Sequence, residues 1–129
     1  MNYAIHHSLG GVSYEEAVAR VRTALQNQGF GIPVEMDTQA LFKAKLGRES
    51  ERRVILGACL APVAFEALRQ EPDLAVLLPC NVVVREVTGG CEVAAVSPKA
   101  LFALTEKVDP SHAQVVEDKI KLALASLSL

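Results

Sequence analysis

The fold class rests on the stretch CNVVVREVTGGCEVAAV, residues 80–96, because it contains two apolar runs separated by a turn. The glycines of the Thr-Gly-Gly turn at residues 88–90 supply the positive φ angles that a tight connection between antiparallel strands needs. The stretch therefore predicts a β-hairpin, with one strand over residues 80–87 and the next over residues 91–96.

Helix and strand signals alternate on the N-terminal side of this hairpin. Ser13, followed three residues later by Glu16, predicts a helix start with a capping box, and Gly29 predicts the end of that helix. Pro33 indicates that the next strand lies at a sheet edge or begins there. The apolar run of residues 53–59 is typical of a central strand that is covered on both faces.

These signals, together with two helices after the hairpin, give the element order β-α-β-α-β-α-β-β-α-α. We interpret the chain as an α+β two-layer sandwich in which helices pack on one mixed sheet, although the alternating first half leaves an α/β class open. The length of 129 residues fits a single domain, residues 1–129, which can bury a core without a disulfide or a metal ion.

The composition excludes several classes of protein. Half of the residues are apolar and 22% are charged, which excludes intrinsic disorder. The net charge of -2 gives no general attraction to nucleic acid or to a membrane surface, so neither is an expected partner. The first residues show no cationic start followed by an apolar run, and no apolar stretch is long enough to span a membrane, so we expect neither a secretory signal nor a membrane span. We therefore expect a cytoplasmic protein.

The common catalytic and cofactor motifs are missing. Residues 29–31 lack the third glycine of a dinucleotide loop, and the chain has neither a Gly-Lys-Ser/Thr phosphate cradle nor a Gly-x-Ser-x-Gly nucleophile elbow. The three cysteines are widely spaced, and the adjacent His6 and His7 point to opposite faces of a strand, so we expect no zinc site and no disulfide framework. The catalytic residues, any cofactor and the question of enzymatic activity stay open.

What remains is a pair of segments, GACLAP at residues 57–62 and LLPCNV at residues 77–82. Cys59 ends a buried strand just before a helix, and Cys80 begins a strand behind a rigid proline and beside a polar amide. Because clefts tend to form where buried strands end next to helices, we expect the segments to converge on a recess that contains both thiols and the amide. The candidate ligand-binding residues are Gly57, Cys59, Pro62, Pro79, Cys80 and Asn81.

Two kinds of function fit these residues. The first is a small domain that binds a small molecule or a protein partner in the recess. The second is thiol-dependent redox chemistry or soft-metal binding through Cys59 and Cys80, since a helix N-terminus stabilises a nearby thiolate. Pro62 donates no N–H at that helix end, and cysteines are commonly buried, so an inert packing role for both thiols is also open. Cys91, in the second strand of the hairpin, is interpreted as structural.

The two segments resemble the bacterial and archaeal family called domain of unknown function 302. The glycine-alanine-cysteine ending, the proline that opens the following helix and the Leu-Leu-Pro-Cys-Asn-Val strand start match the family's pattern, and the resemblance covers nearly the whole chain. The family typically has Asn and Pro after the cysteine, where this chain has Leu60 and Ala61. The resemblance implies an α+β fold that tends to form homodimers, and it implies no established activity.

Overall fold

The computed structural model describes residues 2–128, which form five strands and five α-helices. The strands are β1 (Ala4–Gly10), β2 (Gly31–Asp37), β3 (Arg53–Cys59), β4 (Cys80–Val87) and β5 (Gly90–Val96). The helices are α1 (Tyr14–Asn27), α2 (Thr38–Leu46), α3 (Ala61–Gln70), α4 (Pro98–Phe102) and α5 (Pro110–Ala125). Short 3₁₀ helices follow α3 and α5, at Pro72–Leu77 and Ser126–Ser128. Across residues 2–128, none of the helices combines the length and the apolar character that a membrane span requires.

The strands form one sheet in the order β1-β5-β4-β3-β2. The predicted α+β two-layer architecture and the predicted order of elements are confirmed. The expectation of a mixed sheet is wrong, because every pairing between neighbouring strands is antiparallel. Helices α2 and α3 each return the chain to the adjacent strand in the reverse direction, whereas α1 carries it from one edge of the sheet to the other.

The local signals that mark the ends of helices and strands are confirmed. The Ser13 hydroxyl caps α1 by accepting a hydrogen bond from the Glu16 backbone N–H at 3.2 Å, whereas the Glu16 carboxylate pairs with Arg20 at 3.0 Å and does not complete the predicted capping box. Gly29 follows α1 with a φ of 90°, a conformation that glycine adopts without steric cost. Val87 pairs with Gly90 at the end of the β4–β5 hairpin, which places the turn where the glycines predict it.

The main core lies between one face of the sheet and the two long helices α1 and α5. Val82 in the central strand β4 is fully buried, as are Leu25 of α1, at 1% exposed, and Ile120 of α5. The prediction that residues 53–59 form a central strand covered on both faces is wrong. β3 lies one position from the edge, and its side chains alternate between buried Leu56 and half-exposed Ile55.

The edge position that Pro33 predicts for its strand is confirmed. β2 is an edge strand, and its register against β3 shifts between Gly31 and Val34, around the proline that cannot donate a hydrogen bond. Every residue of β2 except Ile32 is exposed. This strand therefore contributes little to the main core.

A buried carboxylate joins α4 to α5. Glu117 is 6% exposed, and it accepts hydrogen bonds from the Ser97 hydroxyl at 2.6 Å and from the Lys99 backbone N–H at 3.2 Å. Its second oxygen pairs with Lys121 at 3.4 Å. Burial alone would raise the pKa of Glu117, but these hydrogen bonds and the Lys121 ammonium outweigh it and hold the pKa below its usual value. The network fixes the position of α4, which carries Phe102.

Candidate functional site

The pairing of β3 with β4 brings the two candidate segments together. Gly57 lies opposite Asn81, and Ala58 lies opposite Cys80, in an antiparallel ladder. Neighbouring strands are about 4.8 Å apart, so the end of β3 and the start of β4 occupy one small region of the sheet. The predicted convergence of these segments is confirmed.

At Gly57, strand β3 lies very close to β2 and to the segment that precedes β4. A Cβ atom there would lie 2.6 Å from Pro79 Cγ and 2.9 Å from Val34 Cβ. Both distances are shorter than carbon atoms tolerate, so only glycine lets the proline ring and β2 pack against β3. The Leu78–Pro79 peptide bond is cis.

A cavity of about 250 Å³ lies beside this junction. Three of the six candidate residues line it: Cys59 at the end of β3, Pro79 before β4, and Cys80 at the start of β4. Helix α3 begins two residues after β3, so its first turns form another wall through Val63 and Ala64.

The other three candidate residues lie beside the cavity and do not line it. Gly57 has no side chain to present, and Pro62 is exposed in the first turn of α3. Asn81 is exposed, because side chains alternate along a strand and its neighbour Cys80 points inward. The amide that we expected in the recess therefore lies on the opposite face of the sheet.

Sequence reasoning missed the residues that reach the cavity from distant elements. Phe30 enters from the end of α1, Phe102 from α4 and Val116 from α5. Two of the four phenylalanines of the chain thus line one cavity, and the scarcity of aromatic residues is the one signal that could have pointed to them. The placement of Phe102 and Val116 depends on how α4 and α5 pack, which local patterns do not encode.

The wall of the cavity is apolar, and none of the residues that line it carries a charged side chain. Burial raises the pKa of the Cys80 thiol to about 11, and the nearby Cys59 thiol adds to the increase. Cys80 is therefore protonated at neutral pH. A charged group would lose its hydration in this cavity without gaining a partner, so the surroundings favour a neutral, apolar occupant.

Cys91 lies away from this cavity. It is 1% exposed on β5, and its thiol donates a hydrogen bond to the Val12 carbonyl at 3.5 Å. Burial raises the pKa of this thiol too, the Glu86 carboxylate adding to the shift. Within residues 2–128, no group of three or more histidine, cysteine, aspartate or glutamate side chains is arranged to hold a metal ion.

Comparisons with known proteins give a family and a fold. The model of the family "Domain of unknown function DUF302" matches residues 5–127. The crystal structure of an uncharacterized conserved DUF302 protein from Bacillus stearothermophilus is similar at a TM-score of 0.84 and 20% identity, over 97% of this chain and 98% of that one. A search of curated proteins finds no match. Because the family model spans nearly the whole sequence, the chain belongs to the DUF302 family.

Proposed function

We propose that this protein binds a small, neutral, apolar molecule in the cavity between β3, β4 and α3. The observation that carries the proposal is a cavity of about 250 Å³ whose wall is aliphatic, aromatic and thiol, without a charged side chain. An apolar protein cavity of about 150 Å³ is large enough to take up benzene. The cavity described here would therefore accept a substituted aromatic ring or a short aliphatic chain.

The physical reason for binding is the hydrophobic effect. A ligand that fits the cavity makes dispersion contacts with its apolar wall and removes both its own apolar surface and that of the wall from water. The elements around the cavity are held independently of any ligand, by the β3–β4 ladder and by the close packing of Gly57 against Pro79. Little ordering would be needed when a ligand enters, so little of the contact energy would be lost.

Thermal unfolding with matched neutral and charged compounds tests this function. Toluene and hexanol should stabilise the protein, by about 2.7 kcal/mol when the free ligand is at a hundred times its Kd. Benzoate and hexanoate, of similar shape but charged, should give no stabilisation. The proposal is wrong if the neutral compounds leave the unfolding temperature unchanged or if the charged compounds stabilise equally well.

A cavity-filling variant shows whether any stabilisation comes from this cavity. Ala64→Phe places a ring in the cavity from α3 and should abolish the effect of toluene while the protein stays folded. Ala19→Phe is the matched control, because Ala19 is an exposed alanine on α1 outside the cavity. If toluene stabilises both variants equally, it binds outside this cavity, and the proposed site is wrong.

Thiol chemistry is the second candidate, and one observation favours it: Cys59 and Cys80 border the same cavity. The raised pKa of Cys80 weighs against it, because redox exchange and metal binding both use the thiolate. The rate of alkylation against pH separates the candidates. We expect Cys80 to react only as the pH approaches about 11. Rapid reaction of Cys80 at neutral pH would favour the thiol function instead.

The cytoplasmic location is a prediction from sequence. So is the expectation that nucleic acid and membranes are not partners. A protein partner, in particular a second copy of this chain, is likewise a prediction from sequence.

A further inference from the structure

A second cavity, of about 340 Å³, lies between α4 and the start of α5. The buried side chains of Val108 and Ala113 contribute to its wall, together with Phe102. Lys99 and Gln114, which are exposed, lie at its rim. We call it the second cavity, and we call the cavity between β3, β4 and α3 the first cavity.

The side chain of Phe102 separates the two cavities. Of the residues that the structure describes, it alone lines both. The cavities also follow one another along α5, because Ala113 lines the second cavity and Val116, one turn later on the same helix face, lines the first. The ring of Phe102, which is 8% exposed, therefore lies between two largely apolar spaces.

The ring is held by a part of the interior that is distinct from the main core. Phe102 packs with Leu74 and Ala113 in a small hydrophobic cluster of its own. The helix that carries it, α4, is five residues long, and the buried hydrogen bond from Ser97 to Glu117 holds the start of that helix in place. Removing the ring should therefore leave the main core between the sheet, α1 and α5 intact.

We propose that Phe102 sets the length of the molecule that the protein binds, because its ring closes the first cavity against the second. This inference rests on the proposed binding of an apolar molecule in the first cavity. At about 250 Å³, the first cavity is smaller than most small-molecule pockets, which measure roughly 300–1,000 Å³. The ligand of the unmodified protein is therefore a single ring or a short chain that ends at Phe102.

The length limit has a measurable consequence in a series of straight-chain alcohols. Each methylene group that moves from water into an apolar cavity strengthens binding by about fourfold. In the wild type this gain should stop at the alcohol that fills the first cavity, because further carbon atoms stay in water. Phe102→Ala joins the two cavities, so the gain should continue for two more methylene groups, or about fifteenfold in affinity.

The dissociation constants of butanol, hexanol, octanol and decanol, measured by thermal unfolding, test the proposal. Leu74→Ala is the matched control, because it truncates a buried side chain of the same cluster that lines neither cavity. It should lower stability and keep the wild-type length limit. If Phe102→Ala has the same length limit as the wild type, the proposal is wrong while the binding function stands. If the wild type binds none of the alcohols, the proposed function is wrong and this inference falls with it.

Methyl spectra of the wild type give a test that does not depend on how well Phe102→Ala folds. Hexanol should shift the methyl resonance of Ala64, in the first cavity, and have much less effect on those of Val108, in the second. Decanol should give the same pattern in the wild type and shift both sets of resonances in Phe102→Ala. A shift at Val108 as large as that at Ala64 in the wild type would show that ligands pass the ring, and it would overturn the proposal.

Discussion

The two faces of the sheet differ most clearly at three consecutive valines of β4. Val82 and Val84 are completely buried against the helices, whereas Val83 between them is half-buried on the face of the sheet that points away from α1 and α5, which we call the open face. The side chains are identical and the backbone is continuous, so only the alternation of the strand separates their surroundings. The helix-covered face contains the main core, whereas the side chains of the open face stay half-buried or exposed in the single chain.

The largest expected loss of stability comes from truncating a buried side chain of β3, and its neighbour on the opposite face provides the comparison. Leu56→Ala removes a fully buried side chain and should lower the free energy of unfolding by about 2–5 kcal/mol. Ile55→Ala, on the open face, should cost less than about 1 kcal/mol. Urea unfolding at protein concentrations too low for dimers measures both. Equal losses would mean that a single chain covers both faces, contrary to the structure described above.

A smaller effect is expected at the junction beside the cavity. Gly57→Ala introduces a Cβ that would lie 2.6 Å from Pro79 Cγ, so the strands must separate at a cost of about 1–3 kcal/mol. Gly10→Ala is the matched control in β1, where an added Cβ meets no atom within 4 Å. Chemical unfolding of the two variants compares them. If Gly57→Ala is no less stable than Gly10→Ala, the close approach of Pro79 and Val34 is not what the site requires.

The smallest of these effects depends on pH and concerns the helix-covered side. Because the pKa of Glu117 is lowered in the folded protein, the unfolded chain takes up a proton first as the solution is acidified. The stability that this carboxylate contributes is therefore present at neutral pH. It is lost progressively as the pH decreases from about 4.5 toward the lower pKa of Glu117 in the folded protein.

Replacing the carboxylate checks this direction. Glu117→Gln should lose about 1–2 kcal/mol at pH 7 and show a flatter decline in stability on acidification than the wild type. Glu106→Gln changes an exposed carboxyl and serves as the control, which should retain the wild-type decline. Urea unfolding between pH 7 and pH 3 provides the measurement. An unchanged pH profile in Glu117→Gln would show that the hydrogen bonds from Ser97 and Lys99 do not set the pKa.

Much of the fold could be predicted because its signals act between neighbours in the chain. The Ser13 cap, the glycine after α1 and the hairpin turn each depend on a few adjacent residues, and all were confirmed. The antiparallel pattern of the sheet depends on strand order, which no local signal encodes. The exposure of Ile55 was not predicted for a similar reason. An apolar run predicts a strand, but it does not show whether helices cover one face of that strand or both.

The convergence of the two candidate segments was predictable, and the lining of the cavity beside them only in part. Cys59, Pro79 and Cys80 lie at the ends of adjoining strands and line one cavity, as the sequence predicted, whereas binding at this cavity stays a prediction. Asn81 was placed on the wrong face, although the alternation of a strand already implies that it points away from Cys80. Phe102 and Val116 arrive through the packing of separate helices, and only the folded chain shows them at the cavity.

Methyl spectra by nuclear magnetic resonance show whether a neutral apolar molecule binds in the cavity. Toluene added to the ¹³C-labelled protein should shift the methyl resonances of Ala58, Val63 and Ala64, which line the cavity. The methyl resonances of Val83, on the open face, should stay in place. Shifts confined to Val83, or no shifts at any of these methyl groups up to the solubility limit of toluene, would mean that toluene does not bind in this cavity.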